Sequence, residues 1–419
     1  MELLNYCKEK RKIIIYGAGF FGKIVRCFLL ENGIDISCFV VTEEPKEREV
    51  LEAKVLEMEK VCDIASADTG IVICGNHKIC NEMQAYAISI GIRDYYVVSE
   101  SEIQSMDEKT DYNRRFHNNG RRILLYHRVG VADCDIWNMF TSPDNFKNHL
   151  QYLKKEYRIV KYEDIDINNN RDELAITIDD GYVDSYTTIM PIVCECEVPV
   201  TIFVSTGNIG TDKEFWWDTI EGTIIDNISC PKEIYWDGEL LNLNSKEERI
   251  NACWKIWNKV FRVNDCQRTQ MIDELISLTK YEKKNRPEYR TVNERELVEL
   301  DRCPWITIGA HTVSHTRLTS LSDKEKNKEI LKSKEKIESI LNHDIKSMSF
   351  PFGCRNDYDI VTIDAVRHAG YDRAASVESN FEDNTERYNM PRLSICDSSR
   401  NSNMRVLKRA LALNSNSRW

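Results

Sequence analysis

This chain of 419 residues lacks several features that mark common classes of protein. It has no apolar run of about 18 residues, the length that a membrane-spanning helix needs. It also lacks a basic leader before a long apolar segment, as secretory signal peptides have. Positive charge is in deficit, with a net charge of -11 and a sequence pI of about 5.4, so no basic surface for nucleic acid or anionic lipid is expected. We therefore expect a cytoplasmic protein with no membrane segment and no nucleic-acid partner.

Paired cysteine motifs are also missing. The 15 cysteines include no C-x-x-C spacing, and several of them, such as Cys27, Cys38 and Cys74, lie in apolar segments. This distribution is typical of reduced thiols in the core of a protein from a reducing compartment. Cys194 and Cys196 form one C-x-C, but no second pair lies nearby to complete a metal site.

The length favours two or three domains, and the first predicted domain, residues 1–105, alternates strands and helices as a Rossmann-like parallel sheet does. The segment RKIIIYGAGFFGKIVRCFLLENG runs from a strand through Gly17, Gly19 and Gly22 into a helix. This G-x-G-x-x-G order directs backbone N–H groups at a phosphate. However, Thr42 stands near the place of the acid that usually holds a ribose hydroxyl. Binding of NAD or another nucleotide by the three glycines is one prediction, and a scaffold or regulatory domain is the other.

The remainder of the chain is predicted to form a second domain. Residues 106–120 are charged and are interpreted as a linker, and residues 121–419 resume the alternation of strand and helix. This pattern fits a barrel or a doubly wound sheet, so the whole chain is assigned to the α/β class. Residues 213–297 are helical and rich in tryptophan, and we interpret them as an insertion. There, Trp216 and Trp217 are expected to fill a local core, with stacking on sugar rings as the alternative.

The segment ITIDDGY ends an apolar strand on two neighbouring carboxylates, Asp179 and Asp180. Adjacent like charges cost free energy in a buried place unless a partner neutralises them. Gly181 lets the backbone curl, so that both side chains can share one pocket. A divalent cation would offset the repulsion, and IGAHTVSHTRL supplies His311 and His315, which are predicted to lie on one side of a helical turn. Both segments follow predicted strands, where α/β folds gather their active sites.

These motifs carry a resemblance to a known family. In this order, LLYHRV, AITIDDGYVDS, IGAHTVSHTRLTSLS and SFPFG resemble the polysaccharide deacetylases, also called NodB-like or carbohydrate esterase family 4, over roughly residues 120–396. The resemblance implies a distorted (β/α) barrel and a hydrolase that removes acetyl groups from N-acetylated sugars with one divalent metal. It implies that the metal is held by Asp180, His311 and His315, with zinc as the first expectation and cobalt, nickel or manganese as alternatives.

The resemblance also implies the other roles in the reaction. Asp179 is the general base, and the backbone around Pro351 and Phe352 binds the oxyanion. The family's usual C-terminal L-x-x-H motif is absent, and His127 in LLYHRV is assigned as the general acid, as in a permuted branch similar to the poly-N-acetylglucosamine deacetylases. The arginine that commonly holds the catalytic aspartate is replaced by Ser349, and Arg392 in MPRLSI is the candidate for its role.

The leading functional prediction is a metal-dependent deacetylase that acts on an N-acetylated sugar, oligosaccharide or glycan precursor. Two alternatives stay open. The same barrel chemistry suits another C–N bond, such as a formamide or a cyclic ureide. A carbohydrate-binding protein without turnover is the other, because the motif arginine is missing.

Overall fold

The computed structural model describes residues 2–45, 48–61, 66, 68–112, 122–165, 173–378, 386–397 and 403–413. The chain divides into two compact units, one formed by residues 1–120 with 399–419 and the other by residues 121–398. Each unit is built on a mainly parallel sheet, which confirms the α/β class. Among the described residues, no helix is long and apolar enough to cross a membrane.

The first unit contains a Rossmann-like sheet of six strands. Its strands are β1 (Lys12–Tyr16), β2 (Cys38–Val41), β3 (Glu49–Val50), β4 (Ala53–Glu57), β5 (Thr69–Ile73) and β6 (Tyr95–Val97). They lie in the order β3-β4-β2-β1-β5-β6, and all neighbours are parallel except β3 and β4. The helices of this unit are Glu2–Lys8, Phe20–Glu31, His77–Ser89, Glu100–Lys109 and Asn403–Leu413.

The last of these helices shows where the predicted domain boundary was wrong. Ala412 and Leu413 are buried in the core of the first unit, and Arg409 pairs with the buried Asp107. The second domain therefore does not extend over residues 121–419 as predicted. The linker prediction also began too early, because residues 106–109 belong to the helix Glu100–Lys109. Residues 113–120 lie outside the described part.

The second unit is organised around a curled parallel sheet. Its strands are β7 (Arg122–Tyr126), β8 (Arg128–Val129), β9 (Phe140–Thr141), β10 (Arg158–Ile159), β11 (Glu173–Ile178), β12 (Val200–Val204), β13 (Glu233–Trp236), β14 (Glu239–Asn242), β15 (Ile306–Ala310), β16 (Ser347–Ser349), β17 (Arg373–Ala375) and β18 (Leu393–Ser394). The main sheet has the order β17-β16-β15-β12-β11-β7-β18, with β10 beside β11. Met390 bridges to Ala375 and Leu393 pairs with Leu124, so one segment meets both edges of the sheet. This near closure is the distorted (β/α) barrel that was predicted.

Continuous burial of the strands follows from this architecture. All six residues of β11, ELAITI, are buried, as expected for a parallel strand that is covered on both faces. The helices Pro143–Glu156, Met190–Cys196, Glu294–Asp301, Asp323–Leu341 and Ile360–His368 connect the barrel strands. Because the strands are parallel, their carboxyl ends meet at one rim.

The predicted insertion forms its own apolar core. It contains the helices Trp216–Ile224, Lys246–Val260 and Asp265–Thr279 and the hairpin of β13 and β14. Trp216, Trp217 and Trp236 are buried in this core, which confirms the local-core interpretation of the tryptophans. The hairpin was not predicted, although the Asp-Gly turn in EIYWDGELLN is a recognised hairpin signal.

Candidate active site

Strand register brings the predicted site residues to one rim of the barrel. Tyr126 of β7 lies opposite Ile178 of β11, and the N–H of Asp179 donates to the Tyr126 carbonyl at 2.9 Å. His127 and Asp179 therefore leave neighbouring strands at the same level. Ala310 of β15 pairs with Met348 of β16, which sets the next residue, His311, close to the end of β16.

Three buried side chains at this rim have the geometry of a cation site. The ligand atoms of Asp180, His311 and His315 all lie within 4.8 Å of one another. Oδ1 of Asp180 is 3.5 Å from Nε2 of His311 and 3.3 Å from Nε2 of His315, yet it makes no hydrogen bond in the described part of the chain. A buried carboxylate oxygen without a partner is costly, and two imidazole nitrogens beside it complete a donor set that suits a divalent metal. The residues present therefore fit the metal that the family implies.

The surroundings of the two imidazoles keep them in the ligand form. Nδ1 of His311 lies 2.9 Å from the carbonyl oxygen of Ser349, which only accepts, and 2.6 Å from the hydroxyl of Ser349, which donates to Asp179. With Nδ1 donating to Ser349, Nε2 presents its lone pair. Burial lowers the pKa of His311, and burial together with the charge of Arg268 lowers the pKa of His315 to about 3. The His315 ring also packs against Trp217 of the insertion, at 4.6 Å between centroids.

The backbone that aims these ligands is irregular, and the predicted helical turn at His311 and His315 was wrong. His315 has φ 50° and Thr312 has φ 62°, both in the left-handed region. Asp180 is left-handed as well, at φ 76°, so the aspartate itself curls the chain together with Gly181. A Cβ at Gly181 would lie 2.8 Å from Cγ1 of Val204, which explains the glycine. Left-handed non-glycine residues cost about 1–3 kcal/mol each and cluster at functional sites.

Asp179 is held beside the cluster by Arg392. Nη1 and Nη2 of Arg392 donate to the two carboxylate oxygens, each at 2.7 Å, and the guanidinium is fully buried. The Ser349 hydroxyl donates to Asp179 Oδ1 at 3.2 Å. Burial alone would raise the pKa of Asp179, but the charges of Arg392 and His311 outweigh it and lower the pKa to about 2. The structure thus places Arg392 where the missing motif arginine was sought, and it shows a contact of Ser349 with the aspartate that sequence reasoning missed.

The remaining predicted residues also lie at this rim. His127 is half-buried directly after β7, and its charge lowers the pKa of Asp179 and opposes the rise that burial causes in Asp180. Pro351 is buried, and Phe352 has φ 63° with its ring 4.8 Å from the His315 ring. The backbone N–H of Phe352 makes no hydrogen bond among the described residues. It is therefore available as a donor.

The glycines of the first unit form the predicted turn between β1 and the helix Phe20–Glu31. Gly17 is left-handed at φ 112°, and a Cβ at Gly22 would collide with the Gly17 carbonyl oxygen. Around Gly19 the space is open. The Thr42 hydroxyl lies 2.7 Å from the Tyr16 hydroxyl, near the expected position of a ribose-binding acid. Nucleotide binding by Gly17, Gly19 and Gly22 stays a prediction.

Comparison with known proteins supports the family resemblance. A family model described as polysaccharide deacetylase matches residues 281–374, a segment that contains His311, His315 and Phe352. No curated protein sequence matches this chain.

Three solved structures are among those to which this chain has a likeness. Streptococcus pyogenes deacetylase PplD in complex with acetate is 15% identical, with 66% of this chain and 92% of that chain covered and a TM-score of 0.41. IcaB from Ammonifex degensii is 13% identical, with coverages of 71% and 98% and a TM-score of 0.44. The putative polysaccharide deacetylase BA0330 from Bacillus anthracis is 15% identical, with coverages of 70% and 68% and a TM-score of 0.44.

Proposed function

We propose that the second unit is a metal-dependent hydrolase that removes the acetyl group from an N-acetylated sugar or glycan precursor. One observation carries the proposal: a buried Asp180 oxygen without a hydrogen bond faces two neutral imidazoles, next to a carboxylate that an arginine holds. The family-model match over residues 281–374 supports an acetylated carbohydrate as the substrate class.

The donor set of two imidazoles and one carboxylate accepts several first-row divalent ions, and we propose zinc as the resident ion. When bound, such an ion polarises a carbonyl group and makes water more acidic. Asp180, His311 and His315 hold it.

The chain's own residues divide the proton transfers between them. Asp179 is ionised at neutral pH, and Arg392 fixes its plane, so it accepts the proton of the attacking water. The N–H of Phe352 donates to the oxyanion that develops on the amide carbonyl oxygen. His127, at the same rim, gives a proton to the leaving nitrogen. A C–O bond forms, the C–N bond breaks, and acetate and a free amine are the products.

Acetate release tests the proposal directly. The metal-stripped protein is reloaded with zinc, cobalt or nickel and incubated with N-acetylhexosamine conjugates and N-acetylated oligosaccharides. We expect acetate in proportion to bound metal. A protein with one bound ion per chain that releases no acetate from any of these substrates is not this enzyme, and formate from N-formyl analogues would reassign the scissile bond.

A further inference from the structure

A cleft of about 880 Å³ lies in the second unit apart from the metal-ligand cluster, since none of the three ligands lines it. Its walls come from the loop after β7, from residues 183–188 and from the insertion, including Glu221 and Asp226. The first two wall segments directly follow His127 and the Asp180–Gly181 turn in the chain. The cleft therefore shares its supporting strands, β7 and β11, with the proposed active site.

Glu221 in this cleft is a buried acid that no described residue pairs with. Its exposure is 6%, and no hydrogen bond or ion pair within the described residues involves its carboxyl group. Each neighbouring acid has at least one partner among the described residues, although Oδ1 of Asp184 makes no hydrogen bond there. Asp218 accepts from the Tyr182 hydroxyl at 2.6 Å, Asp184 pairs with Arg128 at 3.2 Å, and Asp226 pairs with Arg286 at 2.8 Å.

Three guanidinium groups line the cleft, and none of them pairs with Glu221. Arg249 donates to the backbone carbonyls of Ile224, Asn227 and Leu243. Arg128 is committed to Asp184 and stacks over the Tyr182 ring at 4.2 Å. Arg286 donates to both Glu214 and Asp226. The groups that act electrostatically with Glu221 are Asp135, Asp218, Asp226, Cys253, Arg286 and Tyr289. Three of these groups, Asp135, Asp218 and Asp226, are acids and only Arg286 is a base, so the immediate surroundings of the Glu221 carboxyl group favour a cation.

Burial and this excess of acids have a consequence for protonation. Burial, followed by the charges of Asp218 and Asp226, raises the pKa of Glu221 to about 8, so the side chain carries a proton at neutral pH. A cation that binds there must displace that proton. The described residues show a metal-type cluster only at Asp180, His311 and His315, which favours an organic cation over a second metal here.

We propose that this cleft binds an ammonium group through Glu221. The source of the ammonium is a sugar amine, because the proposed reaction leaves such a group on its product; this assignment depends on the proposed function, whereas ammonium binding does not. An enzyme with this second site takes a glycan in which a unit near the scissile acetamide is already deacetylated.

Calorimetry on the full-length, metal-loaded protein at pH 7 tests the proposal with glucosamine, N-acetylglucosamine, glucose and methylammonium as probes. We expect glucosamine to bind at least about tenfold more tightly than the two neutral sugars, a difference of about 1.4 kcal/mol. The Glu221→Gln variant should lose that preference. Glu288→Gln, an exposed acid on the wall of the same cleft, is the matched control and should keep it.

Proton release gives a second readout that a merely structural role does not produce. Binding heats in two buffers of different ionisation enthalpy should show protons leaving the wild-type protein on glucosamine binding, and none leaving Glu221→Gln. Equal binding of glucosamine and N-acetylglucosamine, or unchanged glucosamine binding by Glu221→Gln, overturns the proposal.

The remaining outcomes separate the two proposals. Binding of methylammonium without any gain for glucosamine keeps the ammonium site and overturns the sugar source. The protein could also bind glucosamine through Glu221 and yet release no acetate. That outcome contradicts the proposed function and supports the cleft site.

Discussion

In each unit the chain makes a glycine-containing turn directly after a parallel strand, but the two turns carry different chemical groups. After β1 the chain turns at Gly17, and after β11 it turns at Asp180 and Gly181. In the first unit, packing alone explains Gly17 and Gly22, because a side chain on either would meet backbone. In the second unit the turn carries carboxylates with a buried oxygen that lacks a hydrogen bond. A glycine turn at a strand end is thus a property of the fold, and the unsatisfied carboxylate oxygen beside two imidazoles is what points to a reaction.

The largest effect that tests this contrast is expected from Asp180→Asn. An amide cannot replace the carboxylate charge between the two imidazoles. Because removing even a residue that only supports a metal ligand typically lowers activity by about 10–100-fold, the loss of a ligand should lower acetate release by more than about 100-fold. Bound metal, measured by atomic emission, should fall with it. Asp179→Asn should lose activity and retain the ion, since Asp179 is assigned as base. Full metal content in Asp180→Asn would remove Asp180 from the ligand set.

A smaller loss of acetate-releasing activity is expected from Arg392→Lys. A lysine cannot make the two parallel hydrogen bonds to Asp179, so the base loses its fixed plane. We expect kcat to fall by about 10–100-fold, the range typical of groups that orient a catalytic partner, with KM and metal content little changed. Arg290→Lys is the matched control, because Arg290 makes the same two-bond contact with Glu296 away from the site. An equal loss in both variants would show a general effect on stability.

The structure brings together the candidate residues that sequence reasoning named, and they could be named because their motifs are local. Asp179 with Asp180, and His311 with His315, are each close in sequence and end predicted strands, so parallel topology alone brings them together. Arg392 was a weaker assignment because 213 residues separate it from Asp179, and only the closure of the barrel by residues 390–395 joins them.

The parts that the sequence did not reveal depend on distant packing. In the sequence, one cluster of charged residues is typical of an exposed surface: Arg128, Asp218, Glu221 and Arg286. The structure shows that these four side chains are buried, because the insertion folds over them. The helix Asn403–Leu413 was misassigned for a similar reason. Its apolar residues face a core that begins near residue 3, and no local pattern records that pairing.

The acids of the second unit also give a test through stability. Because the fold raises the pKa of Glu221 from about 4.3 in an unfolded chain to about 8, the native state keeps a proton that the unfolded state loses. The free energy of unfolding should therefore fall as pH rises through this interval. Glu221→Gln lacks this titrating group, so its melting temperature relative to that of the wild type should rise between about pH 5 and about pH 8. The rise should be about 2–4 °C for each kcal/mol of unfolding free energy that the wild type loses over this interval. A constant difference between Glu221→Gln and the wild type across this pH series would contradict the raised pKa.

The smallest effect is expected at Gly19, and it decides what the glycine turn of the first unit is for. No atom lies within 4 Å of a Cβ built there, and φ of -75° suits alanine, so Gly19→Ala should leave melting and acetate release unchanged. Gly22→Ala, by contrast, should destabilise the first unit, because its Cβ meets the Gly17 carbonyl. A wild-type protein that binds NAD, with binding lost in Gly19→Ala, would show that Gly19 serves a phosphate, since packing gives no other reason for a glycine at that position. No binding heat with NAD or nucleotide-sugars would leave the turn as a structural feature, and the contrast between the two units would then be one between a scaffold and a reaction centre.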